Sequence, residues 1–89
     1  MSQIYWRLKY DRSVTAKLYE LREGGFALHH AIKALKFQSE PWQEALAIRE
    51  RPGRYEFEFQ GYWVGFEQST DPEDTEPTLK ILYIKEIIP

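Results

Sequence analysis

The side chains of this sequence best placed to do chemistry together lie in one short stretch. From Arg54 to Glu67 it reads Arg-Tyr-Glu-Phe-Glu-Phe-Gln-Gly-Tyr-Trp-Val-Gly-Phe-Glu, two runs of alternating apolar and polar residues on either side of Gln60-Gly61. Strand side chains alternate between faces, so Tyr55, Phe57 and Phe59 share one face while Arg54, Glu56, Glu58 and Gln60 share the other. A two-residue turn at Gln60-Gly61 sets Phe59 opposite Tyr62, Glu58 opposite Trp63, Phe57 opposite Val64, Glu56 opposite Gly65 and Tyr55 opposite Phe66. The apolar rows then coincide. The other face collects Glu56, Glu58, Trp63 and Glu67, with Arg54 beside them: carboxylates around one indole.

Glu56 and Glu58 stand roughly 7 Å apart along one strand face, a separation compatible with paired-carboxylate hydrolysis or with a hard cation. Alternating glutamates on an exposed strand ordinarily keep a sheet edge soluble, and the sequence offers neither a third ligand nor a cleft. No catalytic residue and no metal are therefore assigned. Trp63 reads as an anchor for a basic or aromatic partner segment, with a cover formed by Ile84, Ile87 or the last residues as the alternative. Arg54 is expected to pair with Glu56, Glu67 or loop acids rather than to hold a phosphate. His29 and His30 point about 100° apart on a helix and have no ligand one turn away. No serine sits in a nucleophile-elbow setting and no glycine-rich loop follows a strand, so no cofactor is expected.

The elements that position these residues follow from periodicity. Ile4, Trp6, Leu8 and Tyr10 alternate with Tyr5, Arg7 and Lys9 and predict a first strand. Asp11 or Ser13 can cap a helix carrying Val14, Leu18 and Leu21, which Gly24-Gly25 is expected to end. A second helix begins near Phe26 with Leu28, Ile32 and Leu35 as its apolar row and His29, Lys33 and Lys36 on a solvated side. Residues 42–50 stay open between a helix entered at Pro41 and an irregular connection packed through Trp42, Leu46 and Ile48. After the hairpin, residues 68–77 read as a solvated loop, and Leu79 to Ile88 as a strand apolar on both faces, central or with a lid over it. The helices can bury their rows across a mainly antiparallel four-stranded sheet, an α+β two-layer domain spanning residues 1–89.

Composition narrows the function. The chain of 89 residues has no cysteine, which excludes disulfides and thiolate zinc sites and fits a reducing compartment. No stretch approaches a membrane span and the first residues lack a basic-then-apolar leader pattern, so a cytoplasmic protein is expected. Net charge is −2, which disfavours nucleic acid as the default partner. The charge is unevenly spread: from Arg7 to Lys36 basic residues outnumber Asp11, Glu20 and Glu23, whereas acids dominate from Glu40 onward.

The order strand, two helices, connection and three strands, with Pro52-Gly53-Arg54-Tyr55-Glu56-Phe57-Glu58 and then Gly61-Tyr62-Trp63-Val64-Gly65-Phe66-Glu67, resembles the RelE/ParE superfamily of toxin–antitoxin toxins over nearly the whole chain. The resemblance implies a curved antiparallel sheet under two N-terminal helices, and an antitoxin as partner. Relatives of RelE cut messenger RNA on the ribosome with basic side chains on the sheet face, whereas ParE-like members inhibit DNA gyrase. The nuclease pattern has lysines at the positions of Glu56 and Glu58 and an arginine at that of Trp63, and a C-terminal tail with further catalytic groups that is not expected after Pro89. Carboxylates in those places oppose the charge that develops in phosphoryl transfer, so the expectation is a relative that works by binding protein, either as a toxin acting on a protein target or as a diverged member without nuclease activity. Two alternatives stand beside it: a ribosome-dependent endoribonuclease drawing its cations from Arg51, Arg54, Lys80 and Lys85, and an unrelated α+β interaction domain.

Overall fold

The computed structural model describes residues 5–43, 45–47 and 51–88. Strand β1 (Arg7–Tyr10) leads into helices α1 (Arg12–Glu20) and α2 (Glu23–Ala34), and α2 tightens into a 3-10 turn over Leu35–Phe37. Strands β2 (Leu46–Ala47), β3 (Arg54–Phe59), β4 (Tyr62–Gln68) and β5 (Thr78–Glu86) follow. They form one sheet in the order β1-β5-β4-β3-β2. Its pairs are antiparallel except for β1, which runs parallel to β5.

The architecture is the expected α+β, with five strands in place of four. The additional strand is β2, whose two residues are too few to show a period in the sequence. The open stretch 42–50 thus holds a turn at 41–43 and a short strand, with Trp42 half-buried. Leu46 was expected to pack inward but is 63 % exposed, because its register with Glu56 puts it on the polar face. Ile48 lies outside the described residues.

Asp11 starts α1 as expected: its carboxylate accepts hydrogen bonds from the Ser13 hydroxyl at 2.6 Å and the Ser13 amide at 3.0 Å. Those bonds hold the Asp11 carboxyl below its ordinary range. The end of α1 differs from expectation, since the helix stops at Glu20 and both glycines fall inside the first turn of α2. Gly25 is buried, and a β-carbon there would meet the Leu18 carbonyl oxygen at 2.2 Å. Its role is therefore close helix approach rather than chain termination. Of the row read as solvated, Lys33 and Lys36 are exposed while His29 turns to Tyr10, 3.4 Å from its hydroxyl.

The core lies between the two layers. Val14 of α1 and Leu28 and Ile32 of α2 meet Val64, Phe66, Leu79 and Ile81 of the sheet, all essentially without solvent contact. Trp6 closes one end, donating its indole N–H to the Gln38 carbonyl at 2.7 Å and meeting Trp42 edge-on at 5.8 Å. The aromatic contacts continue through Tyr55 and Phe66 to Phe57.

Strand β5 is central, between β1 and β4. Its faces are not those that strict alternation gives. The ladder shifts between Gly65 and Phe66, so that Gly65 pairs with Tyr83 but Phe66 with Ile81, leaving Leu82 over. Tyr83 consequently leaves the face of Leu79 and Ile81 and pairs with the outward position of Gly65, while Ile84 turns inward and is buried beside Val64.

Candidate functional site

The face turned away from the helices is built by the hairpin β3–β4 together with β5. The turn has the backbone such a hairpin needs, with Gln60 at φ 47° and Gly61 at φ 85°. Every pair expected across it is present, from Phe59 with Tyr62 to Tyr55 with Phe66, and Arg54 pairs with Glu67. Glu56, Glu58, Trp63, Glu67 and Arg54 therefore share one face, because the alternate residues Tyr55, Phe57, Val64 and Phe66 pack into the core.

The neighbouring strands change the character of that face. Three rows cross it: Leu46, Glu56, Gly65 and Tyr83; Glu58, Trp63 and Lys85; Arg54, Glu67, Lys80 and Lys9. The carboxylates expected around one indole are thus interleaved with lysines of β1 and β5. Trp63 is half-buried between Glu58 on one side and Lys85 on the other. Of the residues named for the alternative cover, Ile84, Ile87 and the last ones, Ile84 does not serve, since its side chain belongs to the core.

Two ion pairs tie charges of this face. The Arg54 Nε lies 3.2 Å from a Glu67 carboxylate oxygen, both side chains about one-third exposed, as one of the expected pairings. Lys9 pairs with Asp74, whose carboxylate also accepts from the Ser69 hydroxyl. The Asp74 side chain is 6 % exposed, and its carboxyl is held below the ordinary range, first by the Lys9 bond and then by Ser69. The loop read as merely solvated is thereby tied to β1, with Asp71 also accepting the Glu73 amide at 2.9 Å. Burial, followed by the hydrogen bond to Glu56 and its negative charge, pushes the Tyr83 hydroxyl up to about 12. Lys85 Nζ stands 5.4 Å from the centroid of the Tyr83 ring. Glu58 is the exposed carboxylate of the set.

The sequence reading missed Tyr83 and Leu46 as members of this face. A period-two reading of β5 cannot reveal a bulge, although Gly65 opposite a large residue was a usable signal, since a strand glycine often marks close approach.

No protein-family model matches the chain, and no curated protein matches it in sequence. The fold does have a counterpart among solved structures. A chain in the crystal structure of the toxin–antitoxin complex RelBE2 from Mycobacterium tuberculosis aligns with TM-score 0.67 over 96 % of this chain and 94 % of that one. The fold is RelE-like. Sequence identity over the alignment is 16 %, so the likeness concerns the RelE-like fold and leaves the chemistry of the face to its own residues. Among the described residues, no helix of this RelE-like fold is long and apolar enough to cross a membrane.

Proposed function

We propose that this chain is a RelE-like protein that acts by binding another protein, an antitoxin-like chain foremost, through the sheet face centred on Trp63. The observation that carries this reading is the row Glu58, Trp63 and Lys85. An aromatic flanked by one acid and one base gives apolar contact area with a polar rim, as interface anchors do. Leu46 and Tyr83 extend it on the same face, with Glu56 between them in the next row. The similar structure is itself a toxin–antitoxin complex, which supports an antitoxin-like partner for this fold. Action in the cytoplasm belongs to the same reading.

The face is poorly suited to ribonuclease chemistry. Arg54 is held by Glu67 and Lys9 by Asp74, so two cations that could stabilise a phosphorane are already neutralised. Lys80 and Lys85 on β5 are the groups that favour the alternative endoribonuclease. Two measurements separate the readings. Co-purification with the product of a neighbouring short reading frame is expected to weaken at least about tenfold on Trp63→Ala, with folding nearly unchanged. Mapping messenger RNA ends after induced expression is expected to show no new cleavage. Cleavage that disappears in Lys80→Ala or Lys85→Ala would replace the protein-binding reading by the nuclease one.

A further inference from the structure

The helical layer carries a second feature, on the opposite side of the molecule from Trp63. A cleft of about 610 Å³ opens between α1, α2 and the end of β1, lined by Leu18, Tyr19, Phe26, Gly25, Thr15 and Tyr10, with Arg22 and His29 at its polar positions. That volume and lining, mostly apolar with a few polar groups, suit a small organic ligand. Tyr19 is 80 % and Phe26 71 % exposed, a large apolar area left in water beside the cleft.

The charge of the cleft is one-sided. Arg22 supplies a full positive charge, and among the described residues no carboxylate lines the cavity. Among the described residues Arg22 has no ion pair, and the surrounding layer is basic, with Arg12, Lys17, Lys33 and Lys36 against Glu20 and Glu23. The neutral polar groups at the inner end are already occupied with each other, the Tyr10 hydroxyl with His29 Nε2 at 3.4 Å. Arg22 is the charged group left to meet a ligand, beside the hydroxyls of Thr15 and Tyr19. It is also held at φ 52°, ψ −117°, a backbone conformation that glycine adopts freely and arginine does not. A strained residue that persists at the lip of a cleft is characteristic of a binding position.

We propose that this cleft binds a small amphipathic monocarboxylate, an aryl or medium-chain acyl anion, its apolar body between Leu18, Tyr19 and Phe26 and its carboxylate on Arg22. A free small molecule is favoured over an extended peptide by the backbone around the cleft. Thr15, Leu18, Tyr19, Gly25, Phe26 and His29 are all helical, and only Tyr10, the last residue of edge strand β1, comes from a strand, so the lining offers too little strand edge to pair with a second chain.

The test uses the full chain and octanoate as probe, with octanamide as the neutral body of the same length, followed through the amide NMR signals of Thr15, Gly25 and Phe26. Octanoate is expected to shift these signals with a Kd on the order of 1 mM, at least about tenfold tighter than octanamide. Arg22→Gln should bring octanoate to the octanamide level and leave octanamide unchanged, and Phe26→Ala should weaken both. Three results would overturn the proposal: no shift by about 10 mM octanoate, equal affinity for acid and amide, or octanoate binding that survives Arg22→Gln. An acidic helical peptide that moves the same signals at far lower concentration than octanoate would overturn it as well, by making the cleft a protein-docking groove. Should Arg22→Gln fail to fold, the comparison of acid with amide on the unaltered chain still decides.

Discussion

The ring of Tyr83 lies against the α-carbon of Gly65, so closely that a β-carbon at position 65 would come within 2.3 Å of it. This contact seats Tyr83 beside Glu56 on the candidate face, and only glycine at position 65 leaves room for it. Gly65→Ala is expected to displace the ring at a cost of about 1–3 kcal/mol, the usual penalty of an overpacked site. Urea unfolding would measure that cost. The same variant should return the Tyr83 hydroxyl toward the ordinary tyrosine range, read by phenolate absorbance against a Tyr83→Phe reference.

Tyr83 also sets an alkaline limit. Its hydroxyl is pushed up to about 12 by burial and by Glu56, so the folded state favours the neutral form. The corresponding stabilisation is complete below the ordinary tyrosine value of about 10 and is lost as pH rises from there through the folded value. Denaturant midpoints of the unaltered chain should fall over that window more steeply than those of Tyr83→Phe. Parallel curves would show that the fold does not bias this hydroxyl.

Gly24 and Gly25 are neighbours in α2 with opposite expected responses to alanine. At Gly25 the added β-carbon would face the Leu18 carbonyl at 2.2 Å, backbone that cannot swing aside. At Gly24 the nearest atom is the Leu21 β-carbon at 4.0 Å. Gly25→Ala should destabilise by about 2 kcal/mol or more, whereas Gly24→Ala should stabilise by about 0.5–1 kcal/mol through helix propensity. Equal effects in thermal or urea unfolding would mean that α1 and α2 do not cross at Gly25.

The Arg54–Glu67 pair spans β3 and β4 with both side chains partly in solvent. A double-mutant cycle with Arg54→Met and Glu67→Gln should give a coupling below about 1 kcal/mol that shrinks with added salt. A larger coupling would mean that the pair is better shielded than its exposure implies.

Acid should release the loop before it unfolds the chain's core. Asp74 is held ionised by Lys9 and Ser69, so the stability it contributes is present above the ordinary aspartate value and is lost as pH falls through its lowered folded value. Asp74→Asn should flatten the acid limb of the stability curve. The amides of Glu73 and Asp74 are expected to lose exchange protection in that variant at neutral pH.

The hairpin and its register were legible in the sequence by itself, because they depend on local chemistry. Gln60-Gly61 supplies the positive φ angles of a tight turn, and alternation then decides each side chain's face from Arg54 to Glu67. Helix existence and the apolar row Leu28, Ile32 and Leu35 followed equally from spacing. What lies beside the hairpin was decided only in three dimensions. The parallel pairing of β1 with β5 and the bulge that turns Tyr83 outward join segments far apart in the chain, and no local pattern encodes which lysine meets which glutamate. Gly24-Gly25 shows the same division, since the sequence marks a residue without a side chain but only the crossing of Leu18 over Gly25 says why none fits there. Periodicity fixes the face on which a side chain emerges, whereas the strand that arrives next to it is set by which apolar surfaces can be buried together.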